Sequence, residues 1–273
     1  MESRTPIWNR DALCGRGEFG SFRAVTETSF RHLLIDVGNT SLKWCVLNGA
    51  DGAQHVESLP NQDELTALTQ IVEVEPDMPI AISCVRSDEF ADRLSHQLRL
   101  AGASRVYAAS TEQGFMGFQV AYDNAESLGV DRWLAMLAAR RPDTRPVIVV
   151  DAGTACTIDV LVGDTHQGGY ILSGSTLSQH SLVKETDKIR FDSVTGSSVG
   201  PGSTTAACVV NGSWLALSGA IKQVLSDFPN AELLIDGGDA VDLIALGVPG
   251  TLTRGLVFQG LSIWLRHLLA TRA

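Results

Sequence analysis

One hairpin pattern occurs twice in this chain and constrains its fold more than any other feature. Leu33-Leu34-Ile35 runs into Asp36-Val37-Gly38-Asn39-Thr40-Ser41-Leu42-Lys43 and a second β-prone stretch ending at Leu47. Val147 to Val150 runs into Asp151-Ala152-Gly153-Thr154 and a second stretch ending at Leu161. Each copy has an apolar run, Asp-x-Gly, a small hydroxyl or amide residue, then another apolar run. Glycine at the turn is expected to take positive φ and to bring backbone N–H groups close to an anion such as phosphate. A carboxylate at the strand end, Asp36, can hold Mg²⁺ through water, because Mg²⁺ prefers oxygen ligands and keeps several waters. Lys43, in phase with Ser41, is expected to aim at the same place. A single such turn is an ordinary β-turn in which Asp and Asn satisfy the backbone. Two in-phase copies, with a third strand-to-glycine turn at Leu233-Leu234-Ile235-Asp236-Gly237-Gly238, point instead to two related halves facing each other across a nucleotide.

The intervening sequence fits such halves. After the first hairpin, His55 to Leu59 reads as a third strand, Asp63 to Val72 as a helix and Ile80 to Val85 as a buried strand. Glu89 to Leu100 carries apolar residues at helical spacing and stops at Gly102; Arg105 to Ala109 is another strand. A helix from about Trp133 to Arg140 is closed by Pro142 and Pro146. The second hairpin and a further strand follow, with helices over Ser175–Val183, Thr204–Phe228 and Gly255–Leu269. A strand-rich hairpin followed by alternating helices and strands is an α/β architecture with mixed sheets flanked by helices. The expected division is an extension over 1–32, poorly ordered, then domains over 33–145 and 146–273.

Composition narrows the partners. Of 273 residues, 44% are hydrophobic and 19% charged, enough for a sizeable core. The net charge of −10 repels nucleic acid and anionic membranes, so neither is expected as a partner. A phosphate ligand must then be met by local cations and backbone N–H groups. The five cysteines (Cys14, Cys45, Cys84, Cys156, Cys208) show no C-x-x-C spacing, which suits a reducing compartment and no zinc site. No apolar run reaches the length of about 18 residues that a membrane helix needs, and a cytoplasmic location is expected. Gly15 to Gly20 matches G-x-G-x-x-G formally, but no strand precedes it as dinucleotide binding requires.

Between the hairpins lies Leu128-Gly129-Val130-Asp131-Arg132. Asp131 fits a helix N-cap, and a helix N-terminus also favours anions. Arg132 offers a fork for carboxylate or phosphate. Asp159 reads as a strand-end residue; Asp187, Asp192 and Asp227 read as solvent-facing. His166 and His180 have no partner spacing that suggests metal or triad chemistry.

Taken together, Asp36 to Lys43, Leu128 to Arg132, Asp151 to Thr154 and Gly168-Gly169-Tyr170-Ile171 resemble the type III pantothenate kinase family in order and spacing, over about Leu33 to Leu269. The resemblance implies two ribonuclease-H-like halves of the actin-like, sugar-kinase superfamily. It implies ATP-dependent phosphorylation of the primary hydroxyl of pantothenate, the first step of coenzyme A synthesis, by a homodimer. By the same resemblance, Asp36, Val37, Gly38, Asn39, Thr40, Ser41, Leu42, Lys43 and Thr154 bind ATP. Tyr122, Gly129, Val130, Asp131, Arg132 and Thr205 bind pantothenate, and Asp131 accepts the proton. Asp151 ligates a monovalent cation, K⁺ or NH₄⁺. The chain departs from the family pattern at Ser173-Gly174 (usually Pro-Gly), at Ala207 (usually acidic) and at Asp236-Gly237 (often Thr-Gly). Two rival readings share the motifs: a nucleotide-binding regulator without catalysis, and a kinase of another small alcohol.

Overall fold

A computed structural model describes residues 31–48, 57–59, 68–69, 72–73, 75–141, 143–191 and 196–272. The 1–30 segment with Cys14 and the Gly15–Gly20 motif, together with Pro142 and Asp192, lies outside the described residues. Of the helix expected over Asp63–Val72, only 68–69 and 72 fall inside them, and both pieces are helical.

The first hairpin pairs β1 (Arg31–Val37) antiparallel with β2 (Leu42–Asn48), and β2 pairs with β3 (Glu57–Leu59). On its other side β1 runs parallel to β4 (Ile80–Cys84), which runs parallel to β5 (Val106–Ala108). Helix α1 (Asp88–Leu100) connects β4 to β5. The second hairpin repeats the scheme. β6 (Pro146–Ala152) pairs antiparallel with β7 (Ala155–Val162), and β7 with β8 (Thr165–Ser173). β6 runs parallel to β9 (Glu232–Asp236), and β9 to β10 (Thr251–Leu252). Both five-stranded sheets therefore have one connectivity, β3-β2-β1-β4-β5 and β8-β7-β6-β9-β10.

Helices α2 (Val130–Ala139) and α6 (Leu256–Arg272) lie between the sheets. The period-two alternation of the strands sorts side chains accordingly. Leu34 and Ala81 from one sheet, and Val147, Val149 and Leu161 from the other, bury against Trp133, Leu134, Leu137, Leu261 and Leu265. Their neighbours Leu33, Ile35 and Ile82 turn the other way, onto Leu94 and Leu98 of α1. Ile148, Val150 and Ile158 turn onto Val210, Trp214, Leu217 and Ile221 of α4 (Thr205–Asp227). The α2–α6 crossing is close: a Cβ on Gly260 would lie 1.9 Å from the carbonyl oxygen of Leu134. Helix α3 (Ser175–Glu185) packs on α4, and the short α5 (Ala240–Ala245) follows β9.

The expected elements recur with shifted ends. α2 begins three residues before the predicted Trp133, because Gly129 caps it, so Asp131 sits inside the first turn and not at the N-cap. α5 and β10, too short to show a period, were not anticipated. Asp159, expected at a strand end, instead sits inside β7, fully buried.

Candidate active site

The carboxyl ends of the parallel strands β1, β6 and β9 open on one cleft of about 660 Å³. Asp36, Gly38, Asn39, Thr40, Ser41 and Lys43 line one side; Asp151, Gly153, Thr154, Gly237 and Gly238 line the other, with Asp131 between. The two hairpin turns touch directly, the hydroxyls of Thr40 and Thr154 sharing a hydrogen bond at 3.0 Å. In the β1–β2 ladder Asp36 stands opposite Lys43, so one register places the carboxylate and the cation side by side. Val37, Leu42 and Val130 are buried, and only their main chain can face a ligand.

The turns differ from expectation in one respect. Neither Gly38 nor Gly153 takes positive φ; that conformation belongs to Gly237 in the third turn, at +98°. Gly38 N–H donates to the Ser41 carbonyl and Gly153 N–H to the Ala155 carbonyl, each at 3.0 Å, closing both turns internally. Close approach in this region belongs to Gly237 and Gly174. A Cβ on Gly237 would meet the Ala152 backbone at 2.4 Å, and one on Gly174 would meet the Gly153 carbonyl oxygen at 2.1 Å. Gly174 of the departing Ser173-Gly174 pair thus braces the second turn, its N–H donating to Thr154 O at 2.9 Å.

Carboxylates crowd this cleft. Burial, then the charge of Asp131, pushes Asp36 up to about 6, although Ser83 Oγ donates to its Oδ1 at 3.0 Å and Lys43 opposes the shift. Burial, then the charge of Asp236, pushes Asp151 up to about 7. Asp131 is raised as well, chiefly by burial, against the pull of the Arg132 N–H that donates to its Oδ1 at 2.7 Å. Asp236, standing beside Asp151 in the β6–β9 ladder, accepts from Gly237 N at 2.7 Å and from Leu256 N at the start of α6 at 2.8 Å. Charged carboxylates held this close want a cation between them. No group of three or more ligating side chains among the described residues is placed to cage a metal. The donor set therefore fits ions that arrive with phosphate oxygens and water, as Mg²⁺ does.

Gly129 leaves space for the Asp131 carboxylate, since a Cβ there would lie 2.7 Å from Oδ1. Arg132 is buried and points away from the turns. Its Nε and Nη2 donate to Asp159 Oδ2 and Oδ1 at 2.9 and 2.6 Å, and its Nη1 donates to the Tyr122 hydroxyl at 3.1 Å. Burial alone would raise Asp159, but the hydrogen bonds of His166 and Arg132 outweigh it and hold the carboxyl below its ordinary range. Thr205 lies elsewhere, on the first turn of α4, lining a separate cavity with Ser178, Leu182 and Cys208. Within one chain it does not reach Asp131's cleft. His180, read as uninvolved, lines the cleft from α3. Ser83, Gly174, Asp236 and His166 were not among the expected site residues. The Asp236-Gly237 turn and the Ser173-Gly174 pair are visible in the sequence; nothing local marks Ser83, and His166 has no partner spacing.

A repeated β3-β2-β1-β4-β5 sheet, with two Asp-x-Gly turns meeting over a cleft, is the fold of the actin-like, sugar-kinase proteins. Solved structures agree on the fold. MreB5 of Spiroplasma citri bound to ADP superimposes with a TM-score of 0.50 at 9% identity, covering 89% of this chain and 98% of that one. A Sinorhizobium meliloti protein described as a 2-dehydro-3-deoxygalactonokinase gives 0.54 at 13%, covering 87% and 99%. A Campylobacter jejuni protein described as a Baf family transcriptional activator gives 0.56 at 19%, also covering 87% and 99%. Sequence narrows the class further. The sequence model of the type III pantothenate kinase family matches residues 32–227. The type III pantothenate kinase of Aromatoleum aromaticum is 36% identical over 243 residues, 86% of this chain and 98% of that protein. That of Acinetobacter baylyi is 31% identical over 244 residues, 88% and 99%. The chain belongs to the type III pantothenate kinase family.

Proposed function

We propose that this protein transfers the γ-phosphoryl group of ATP to the primary hydroxyl of pantothenate, giving 4'-phosphopantothenate, the opening step of coenzyme A biosynthesis. The convergence of Asp36, Lys43, Asp131 and Asp151 on one cleft, under turns joined by Thr40 and Thr154, carries this reading. The Asp36–Lys43 turn and Thr154 bracket the phosphates. Tyr122 and the Gly129–Arg132 turn form the pantothenate end, and Thr205, which lies outside this cleft within one chain, joins them from the second copy of a homodimer. A primary alcohol barely ionises near neutral pH, so Asp131 orients the hydroxyl and takes its proton as the phosphoryl group leaves ATP. Its burial raises its proton affinity in the direction that a base needs.

Mg²⁺ with the nucleotide, held through water by Asp36, and K⁺ or NH₄⁺ at Asp151 fit these carboxylates. When bound, such ions neutralise charge on the phosphate oxygens. The protein's own share is placement: Lys43 adds fixed positive charge, and the turns hold the polyphosphate in line with the acceptor.

We also propose a homodimer and a cytoplasmic location. Exposed Tyr170 and Ile171 on edge strand β8, with Leu177 and Leu182 of α3 and Leu215 of α4, provide an apolar face for a second copy. No helix among the described residues is long and apolar enough to cross a membrane.

The test is ADP release with Mg²⁺ and K⁺, using pantothenate and a panel of small alcohols, for the wild type and Asp131→Asn. Turnover restricted to pantothenate and abolished in the variant is expected. Silence with every alcohol would leave only the regulator reading, and turnover with another alcohol alone would overturn pantothenate as the acceptor. Exchanging K⁺ for Na⁺ should lower the rate; equal rates would count against Asp151 as the cation ligand.

A further inference from the structure

The Arg132–Asp159 pair is nearly sealed from solvent, its side chains 6% and 2% exposed. His166 Nε2 lies 3.1 Å from the Asp159 Oδ1 that also receives Arg132 Nη2, and the His166 ring is buried. The Tyr122 ring stacks over His166 with centroids 6.2 Å apart and accepts from Arg132 through its hydroxyl. Four side chains from the 122 loop, α2, β7 and β8 thus close one network. Even the second glycine of Gly168-Gly169 serves it: a Cβ on Gly169 would lie 2.4 Å from Asp159 Oδ1 and 2.9 Å from Arg132 Nη2.

A buried ion pair is weak evidence of stabilisation, because apolar residues of similar volume often do as well. Its use here has to be sought in what it places. Arg132 N–H is the donor that holds Asp131 Oδ1. Anchoring the Arg132 side chain to β7 and β8 therefore fixes the first turn of α2 against the second sheet. We infer that Asp159 and His166 are positioning residues: through Arg132 they set the orientation of Asp131 and Tyr122 at the acceptor end of the cleft. Asp159 supplies the counter-charge that immobilises the guanidinium. His166 donates its Nε2–H to Oδ1, because an ionised carboxylate can only accept, and so holds the carboxylate in the plane of the fork. The identity of the acceptor rests on the pantothenate kinase reading; the positioning does not.

Asp159→Asn keeps the shape but leaves Arg132 without a counter-charge, while His166→Phe removes the donor and His166→Gln restores an N–H at that place. Asp159→Asn should lower kcat/KM for pantothenate about 100-fold, as displacement of reacting groups by about 1 Å does. The loss should combine a lower kcat with a higher KM for pantothenate, while KM for ATP stays within about twofold, because the turns are untouched. His166→Phe should lose about tenfold, and His166→Gln should recover most of it. Amide hydrogen exchange of the ligand-free proteins gives a readout independent of activity. Residues 129–134 should exchange faster in Asp159→Asn and His166→Phe, and at the wild-type rate in His166→Gln, with β1 and β6 protected equally in all. Unchanged exchange at 129–134 in Asp159→Asn overturns the inference. So does a fall in kcat with both KM values unchanged, which would mark a smaller folded fraction. A wild type inactive on pantothenate defeats the functional reading alone, because the exchange experiment still decides the positioning.

Discussion

Asp131 lies one residue into α2, with Gly129 clearing space for its carboxylate and Arg132 N–H fixing one oxygen. If that carboxylate is the base, Asp131→Asn should cut kcat by about 10²–10⁴, the usual share of general base catalysis. Nucleotide affinity, followed by ADP titration, should be nearly unchanged. Gly129→Ala is a subtler probe. A methyl group 2.7 Å from Oδ1 must push the carboxylate aside, so kcat should fall about tenfold or more while the fold survives. At this scale the sequence was informative about identity and silent about partners. The Leu128–Arg132 motif was legible, yet Arg132's use of its fork on Asp159 was not, because those residues meet only when α2 packs on β7. Ser83 illustrates the same limit: a serine in an apolar strand became a donor to Asp36 only through the parallel β1–β4 register.

At the scale of elements, the α2–α6 pair is the structural centre. Both helices are buried between two sheets, and their crossing depends on Gly260 lying against the Leu134 carbonyl. Gly260→Ala should therefore destabilise the protein by about 1–3 kcal/mol, as overpacking in a core does. Urea unfolding should show this as a lower midpoint. Gly212, in α4 with open space around its Cβ position, is the control. Gly212→Ala should be neutral or stabilise by up to about 1 kcal/mol through helix propensity. Helix periodicity made α1, α4 and α6 legible. It could not announce that α6, last in the chain, would return to pack against β1 and β4 as well as α2.

For the molecule as a whole, the cleft concentrates negative charge on a chain that is already acidic, and this has a pH signature. Asp151 is at about 7 in the fold, against 3.8 as its ordinary value. The folded state therefore binds the proton more tightly than the unfolded state. Its contribution is fully favourable below about pH 4 and is lost as pH rises toward 7. In buffers whose only cation is a bulky tetraalkylammonium, Asp151→Asn should gain stability over the wild type as pH rises from 5 to 8. The gain should be on the order of 2–3 kcal/mol, since each tenfold difference in proton affinity between the folded and unfolded states is worth about 1.4 kcal/mol. Denaturant midpoints at both pH values check this; parallel behaviour would show that Asp151 is not held charged against its neighbours. K⁺ together with Mg²⁺ and ADP should narrow the difference, because bound cations favour the ionised wild-type carboxylate.

The doubled hairpin was visible in the linear chain because it is local: apolar alternation, a carboxylate and a glycine within a dozen residues specify a strand, a turn and a strand wherever they stand. Sequence by itself thus determined the two halves, the α/β class and the family's motifs. Tertiary structure alone decided that the turns meet through Thr40 and Thr154, that the close glycine contacts fall at Gly174 and Gly237, and that Arg132 is spent on Asp159 and His166. Those facts depend on residues distant in sequence sharing one low-dielectric space, where burial and neighbouring charge set each group's behaviour, and no local pattern carries that information.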